Sequence, residues 1–204
     1  MENLSAENSL RIITETIERS RNAIAKNTGK PLILWGSLVT VTSVIIWALW
    51  SKTGTPMWNL LWFAMTAIGA FGTMVIMRNQ ERVPESETKR ILGSIWKWFG
   101  IFSIGLYALL WVVALILYAS GETAVLHVDL TLIISLMMGL CGAISGAVMK
   151  MKSVSAAACV ATALAVLLVL LVPDGSPLQI LSFAILGVIA LIIPGIIFQK
   201  KTSK

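Results

Sequence analysis

Six apolar runs, each long enough to cross a bilayer, follow one another along this chain at residues 31–50, 57–77, 91–119, 126–149, 154–172 and 178–198. A hydrocarbon core about 30 Å thick takes around 20 apolar residues of α-helix. A helix satisfies its own backbone polar groups where lipid offers no partner. The runs therefore predict an all-α, polytopic membrane protein with six transmembrane helices. Charge points the same way. Only 13% of the residues are charged, against roughly 25% in a soluble domain, and the joints between runs are too short to hold a separate soluble domain.

The joints set the expected orientation. Arg11, Arg19, Arg21, Lys26 and Lys30 precede the first run. Arg78, Arg82, Lys89 and Arg90 lie between the second and third, with Lys97 close by; Lys150 and Lys152 join the fourth to the fifth, and Lys200, Lys201 and Lys204 follow the sixth. Fifteen of the sixteen basic residues thus fall on one side, and Lys52 stands alone on the other with Glu122, Asp129 and Asp174. Basic residues are retained on the cytoplasmic side, so both termini are expected inside a bacterial cytoplasmic membrane. The net charge of +6 belongs to this flanking pattern, not to a stripe for nucleic acid. Trp50 with Trp58, and Trp96 with Trp98, are expected to anchor the helices at headgroup level.

Residues 1–30 carry four glutamates and no apolar core, which excludes a signal peptide; neither end carries a lipidation motif. The segment reads instead as a cytoplasmic amphipathic helix ahead of the bundle (residues 31–198), with residues 199–204 as a basic tail. Leu10, Ile13, Ile17 and Ile24 recur at heptad spacing, interrupted by Ser20. The pairs Glu7/Arg11 and Glu15/Arg19 support a helix from the outer face. A narrow stripe resembles a coiled-coil seam, and the near-even mix of charges differs from the lysine- and arginine-rich face of a lipid-surface helix. The expected contact is a second copy, a protein partner or the chain's own bundle. Pro31 suits the first turn of the first span.

Small residues mark where helices should approach closely, since lipid removes the usual hydrophobic drive. Gly69 and Gly72 lie in the second run; Gly139, Gly142 and Gly146 lie on one face of the fourth, and the fifth is rich in alanine. Cys141 and Cys159 read as small apolar packing residues at similar depth. Gly36 and Trp47, and Gly100 and Trp111, share an 11-residue spacing that would suit two hairpins of common shape. Pro194 and Gly195 interrupt the sixth run near its end.

Chemistry is sparse. The single histidine, His127, stands near Glu122 and Asp129, but a metal needs three or four convergent ligands, and nothing in the spacing imposes that. No charged residue lies near the middle of a run, where proton pathways place them. The rhomboid proteases resemble this chain in having six spans, with a Gly-x-Ser-Gly serine in the fourth. Here the fourth reads Gly142-Ala143-Ile144-Ser145-Gly146, and the sixth has no histidine. A serine without a base is a weak nucleophile, so Ser145 is expected to bond to backbone or a neighbouring helix. No cofactor is implied. The expectation is a non-enzymatic membrane protein that self-assembles or docks a partner through its N-terminal helix and the loop at 78–90. The alternative is a small transporter or channel for a neutral or apolar solute, using Thr40, Ser43, Thr66 and Ser135.

Overall fold

A computed structural model describes residues 2–79, 87–120 and 129–201, and every described element is helical. α1 (Glu2–Thr53) leads through a 3-10 turn (Pro56–Leu60) into α2 (Leu61–Arg78). α3 (Glu87–Ala119) and α4 (Leu130–Val148) follow. A tight joint leads to α5 (Lys152–Leu171), and a second 3-10 turn (Pro177–Ile180) opens the last span. That span is α6 (Leu181–Leu186), a π-helical segment (Gly187–Ile192) and α7 (Ile193–Lys201). Among the described residues, six stretches are long and apolar enough to cross a membrane, from Asn27–Thr53 to Pro177–Lys200. The side of the bundle from which the N-terminal part of α1 emerges is termed the N-face.

α1 does not break where the amphipathic segment meets the first span. It is one helix of 52 residues with Pro31 inside it, about 78 Å long at 1.5 Å per residue. A proline within a helix loses one hydrogen bond and crowds the carbonyl four residues back. Tertiary packing holds the helix together across that site: Gly29 and Gly36 press against the last span, and Leu32 is buried.

That α1–last-span contact brings backbone against backbone at two levels. A Cβ on Gly29 would stand 2.8 Å from the Gly195 carbonyl oxygen, and one on Gly195 2.9 Å from that of Gly29. Seven residues along α1 the arrangement recurs: a Cβ on Gly36 would lie 2.7 Å from the Gly187 carbonyl oxygen, and one on Gly187 2.9 Å from that of Gly36. The partners are seven residues apart on α1 but eight on the last span. Eight residues overshoot two α-helical turns by about 80°, whereas seven fall short by only about 20°. The π-helical segment absorbs the extra residue and turns both glycines toward α1. It also precedes Pro194, and a widened turn relieves the crowding between the proline ring and the preceding carbonyls. The interruption expected at Pro194–Gly195 thus begins seven residues earlier, and Gly195 serves contact with α1.

α4 and α5 form the second tight pair. Gly139 faces Thr162, Gly142 faces Ala158, and a Cβ on Gly146 would lie 2.5 Å from the Ser155 backbone nitrogen. Ser155 donates to the Ala143 carbonyl at 2.9 Å. Lys150 makes the short joint by adopting φ 54°, while Met151 N–H donates to the Gly146 carbonyl at 2.8 Å. α1, α4, α5 and the last span make the compact core. α2 packs mainly on α1, and α3 mainly on α4. Gly69 and Gly72 of α2 admit Trp35 and Leu34 of α1.

The suggested hairpin repeat does not hold in these contacts. Gly36 is pressed on backbone, while a Cβ on Gly100 would meet open space. The glycines of α2 face the preceding helix, and those of α4 face the following one.

Candidate functional site

Two features stand apart from the packed core, and both are built on one face of α1. Leu10, Ile13, Ile17, Ile24, Pro31 and Trp35 follow one another at intervals of three, four or seven residues, which keeps them on a single side of a helix. Beyond the bundle this face is bare. Leu10, Ile13 and Ile17 are 65%, 55% and 52% exposed, whereas Ile24 is 4% exposed. Of the four stripe residues, Ile24 is therefore committed to the bundle and unavailable for docking. The expected possibility that the amphipathic segment lies back against its own bundle is not what α1 does: the helix continues outward. Beside the stripe, Thr14 and Thr16 donate their hydroxyls to the carbonyls of Leu10 and Ile12 at 2.8 and 2.7 Å, which satisfies both hydroxyls within the helix.

Where the same face enters the bundle it walls a cavity of about 620 Å³. Ile24, Asn27, Pro31, Trp35 and Val39 line it from α1, Trp62, Met65 and Met77 from α2, Trp96, Gly100 and Tyr107 from α3, and Met138 and Phe183 from α4 and α6. From Ile24 to Val39 it extends about 22 Å at 1.5 Å per residue. Its flanks are tied by a few directed contacts. Trp35 Nε1 donates to Thr73 Oγ1 at 2.9 Å, joining α1 to α2. Trp96 Nε1 donates to Ser145 Oγ at 3.1 Å, joining α3 to α4. Far from the N-face, Tyr107 donates its hydroxyl to the Asn59 carbonyl at 2.6 Å and sets its ring 5.1 Å from that of Phe63. Trp62 meets Phe183 edge to face at 5.3 Å. Trp98 is exposed as a belt residue should be, but Trp96 turns inward and does not join the belt.

The remaining candidates separate in the structure. Ser145 donates to the Cys141 carbonyl at 2.7 Å while accepting from Trp96, so it bonds both to backbone and to a neighbouring helix. Cys141 is half-buried and Cys159 exposed, both as free thiols. Asp129 caps α4, accepting from the Leu132 N–H at 2.9 Å. His127, Glu122 and Arg82, with most of the 78–90 loop, lie outside the described residues. Among the hydroxyls proposed for a solute path, Thr66 alone lines the cavity. Thr40 and Ser43 donate to the carbonyls of Gly36 and Val39 at 2.7 and 2.6 Å, and Ser43 and Ser135 are fully buried. Gln179 is a buried polar residue the sequence reading missed. Its amide donates to the Val169 carbonyl at 3.3 Å, which ties the last span to the end of α5. The cavity was missed as well. Its only sequence trace is on α3, where glycine and aromatic residues alternate along one heptad line.

Comparison with protein-family models, with curated proteins and with solved structures gave no match to this chain.

Proposed function

We propose that this is a non-enzymatic integral membrane protein that assembles through the projecting part of α1, pairing it with the same helix of a second copy. The exposed stripe Leu10, Ile13 and Ile17 on a helix that leaves the bundle carries this reading. In coiled coils, charges flanking the seam choose the partner. Here much of the flank is Ser9, Thr14 and Thr16, which imposes no charge code against a second copy. Glu7, Arg11, Glu15 and Arg19 are exposed, and both signs occur away from the stripe. The excess of basic residues in the joints on the N-face side supports a reading in which the termini are cytoplasmic and the bundle lies in a bacterial cytoplasmic membrane. Ser145, the residue nearest a protease motif, has its hydroxyl engaged with Cys141 and Trp96, which supports a role without catalysis.

Thiol crosslinking in membranes tests the pairing. In a Cys141→Ser, Cys159→Ser background, Leu10→Cys should give a disulfide-linked dimer and Glu15→Cys, on the other side of α1, should not. Adding Ile17→Glu should abolish the Leu10→Cys dimer. Equal crosslinking from both positions, or an adduct with a different protein in its place, would refute self-pairing.

A further inference from the structure

The cavity has a property that packing does not explain. On α3, Lys89, Gly93, Trp96, Gly100, Ser103 and Tyr107 advance by alternating steps of four and three, and all line the cavity. Glycine weakens a helix interior relative to alanine, and on α1, α2, α4 and the last span it is repaid by close helix approach. At Gly93 and Gly100 it is not: a Cβ on either would meet no protein atom within 4 Å. These two glycines keep width in the cavity for something that is not protein. Beside them, Ser103 Oγ is buried with no hydrogen-bond partner.

Size favours an occupant thinner than a helix. A helix about 10 Å across and 22 Å long fills roughly 1,700 Å³, almost three times the cavity's 620 Å³. A long, thin, flexible chain fits that shape. The wall is aromatic and aliphatic over most of its length. Asn27 and Lys89 lie at its N-face end and Asn59 and Tyr107 at the other, with the hydroxyls of Thr66, Thr73 and Ser103 between them. The far end is bridged by the Tyr107–Asn59 hydrogen bond and the Tyr107–Phe63 ring contact. α2 and α3, packed mainly on α1 and α4, flank the groove. Entry is therefore from the N-face half of the bilayer, where Lys89 lines the mouth and an anionic group is favoured.

We propose that this groove is a binding site for an anionic phospholipid, with an acyl chain lying along Gly93 and Gly100 against Trp35 and the headgroup phosphate beside Lys89. The site is independent of whether α1 self-pairs.

The test uses the purified full chain, reconstituted in mixed vesicles of phosphatidylglycerol and phosphatidylcholine, extracted in mild detergent and weighed intact by native mass spectrometry. The native chain should retain one phosphatidylglycerol in preference to phosphatidylcholine by roughly tenfold, the factor that 1.4 kcal/mol of binding supplies and that one hydrogen bond to a charged group can provide. Gly100→Phe should lose the retained lipid. Gly105→Phe, on the same helix with open space around it but off the cavity wall, should keep it. Gly93→Leu serves as the second filling variant should Gly100→Phe aggregate. Unchanged retention in the filled variants, loss in Gly105→Phe as well, or equal retention of the two lipids would each overturn the proposal.

Discussion

Glycine acts in three different ways in this chain, and the difference shows in what a single methyl group would cost. At Gly139 the added carbon falls on Thr162, a side chain. At Gly36 it falls 2.7 Å from a backbone carbonyl oxygen. At Gly105 it meets nothing within 4 Å. Overpacking a tight contact costs about 1–3 kcal/mol, and replacing a helix-interior glycine by alanine gains up to about 1 kcal/mol. Gly139→Ala should therefore lower the thermal midpoint of the detergent-solubilised protein, with Thr162→Ala restoring it in the double variant. Gly36→Ala should lower it with no side-chain rescue, because the obstacle is main chain. Gly105→Ala should raise it slightly. The sequence marks all three alike. Glycine spacing announced the α4 face through Gly139, Gly142 and Gly146, but it could not separate a contact glycine from one beside open space, because that depends on the helix opposite.

At the scale of elements, the spans were legible because lipid imposes length and apolarity on each one independently. The continuity of α1 was not. Pro31 reads as a helix start on local rules, and only its neighbours' packing on the last span carries the helix through. The π-helical segment was hidden for the same reason: its cause is the mismatch between Gly29–Gly36 and Gly187–Gly195, a relation between two helices. That explanation makes a prediction. Deleting Val188, which is exposed, leaves the paired glycines seven residues apart, so the segment should revert to an ordinary α-helix with both glycine contacts kept. Its thermal midpoint should stay within a few degrees of the native value. Deleting one residue from α1 between Gly29 and Gly36 has no such reserve and should unfold the pair. Equal damage from the two deletions in a melting experiment would show that the π turn has another origin.

The whole molecule divides into a core locked by backbone contact and two helices held by side chains. α1, α4, α5 and the last span meet through glycine, alanine and serine at distances that permit no slack. α2 and α3 reach their neighbours through Trp35–Thr73, Trp96–Ser145 and Tyr107–Asn59, each a single hydrogen bond donated by a large aromatic side chain. Hydrogen bonds between helices in a membrane are worth only about 0.6–2 kcal/mol each. Stability and cavity access should then respond to different substitutions. Tyr107→Phe removes the tie at the far end of the cavity but leaves the ring on Phe63. Its effect on the thermal midpoint should be no larger than one hydrogen bond, about 1 kcal/mol. The cavity should become more accessible all the same. In a background lacking Cys141 and Cys159, Ser103→Cys should react several times faster with a membrane-permeant maleimide when Tyr107→Phe is present. The loss of one tie shifts a local opening equilibrium by a comparable factor. Thr162→Val at the α4–α5 contact should do the reverse, lowering the midpoint while leaving the labelling rate at Ser103→Cys unchanged. If the two readouts moved together in both variants, the bundle would open as one unit, and α2 and α3 would be as firmly held as the glycine-packed core.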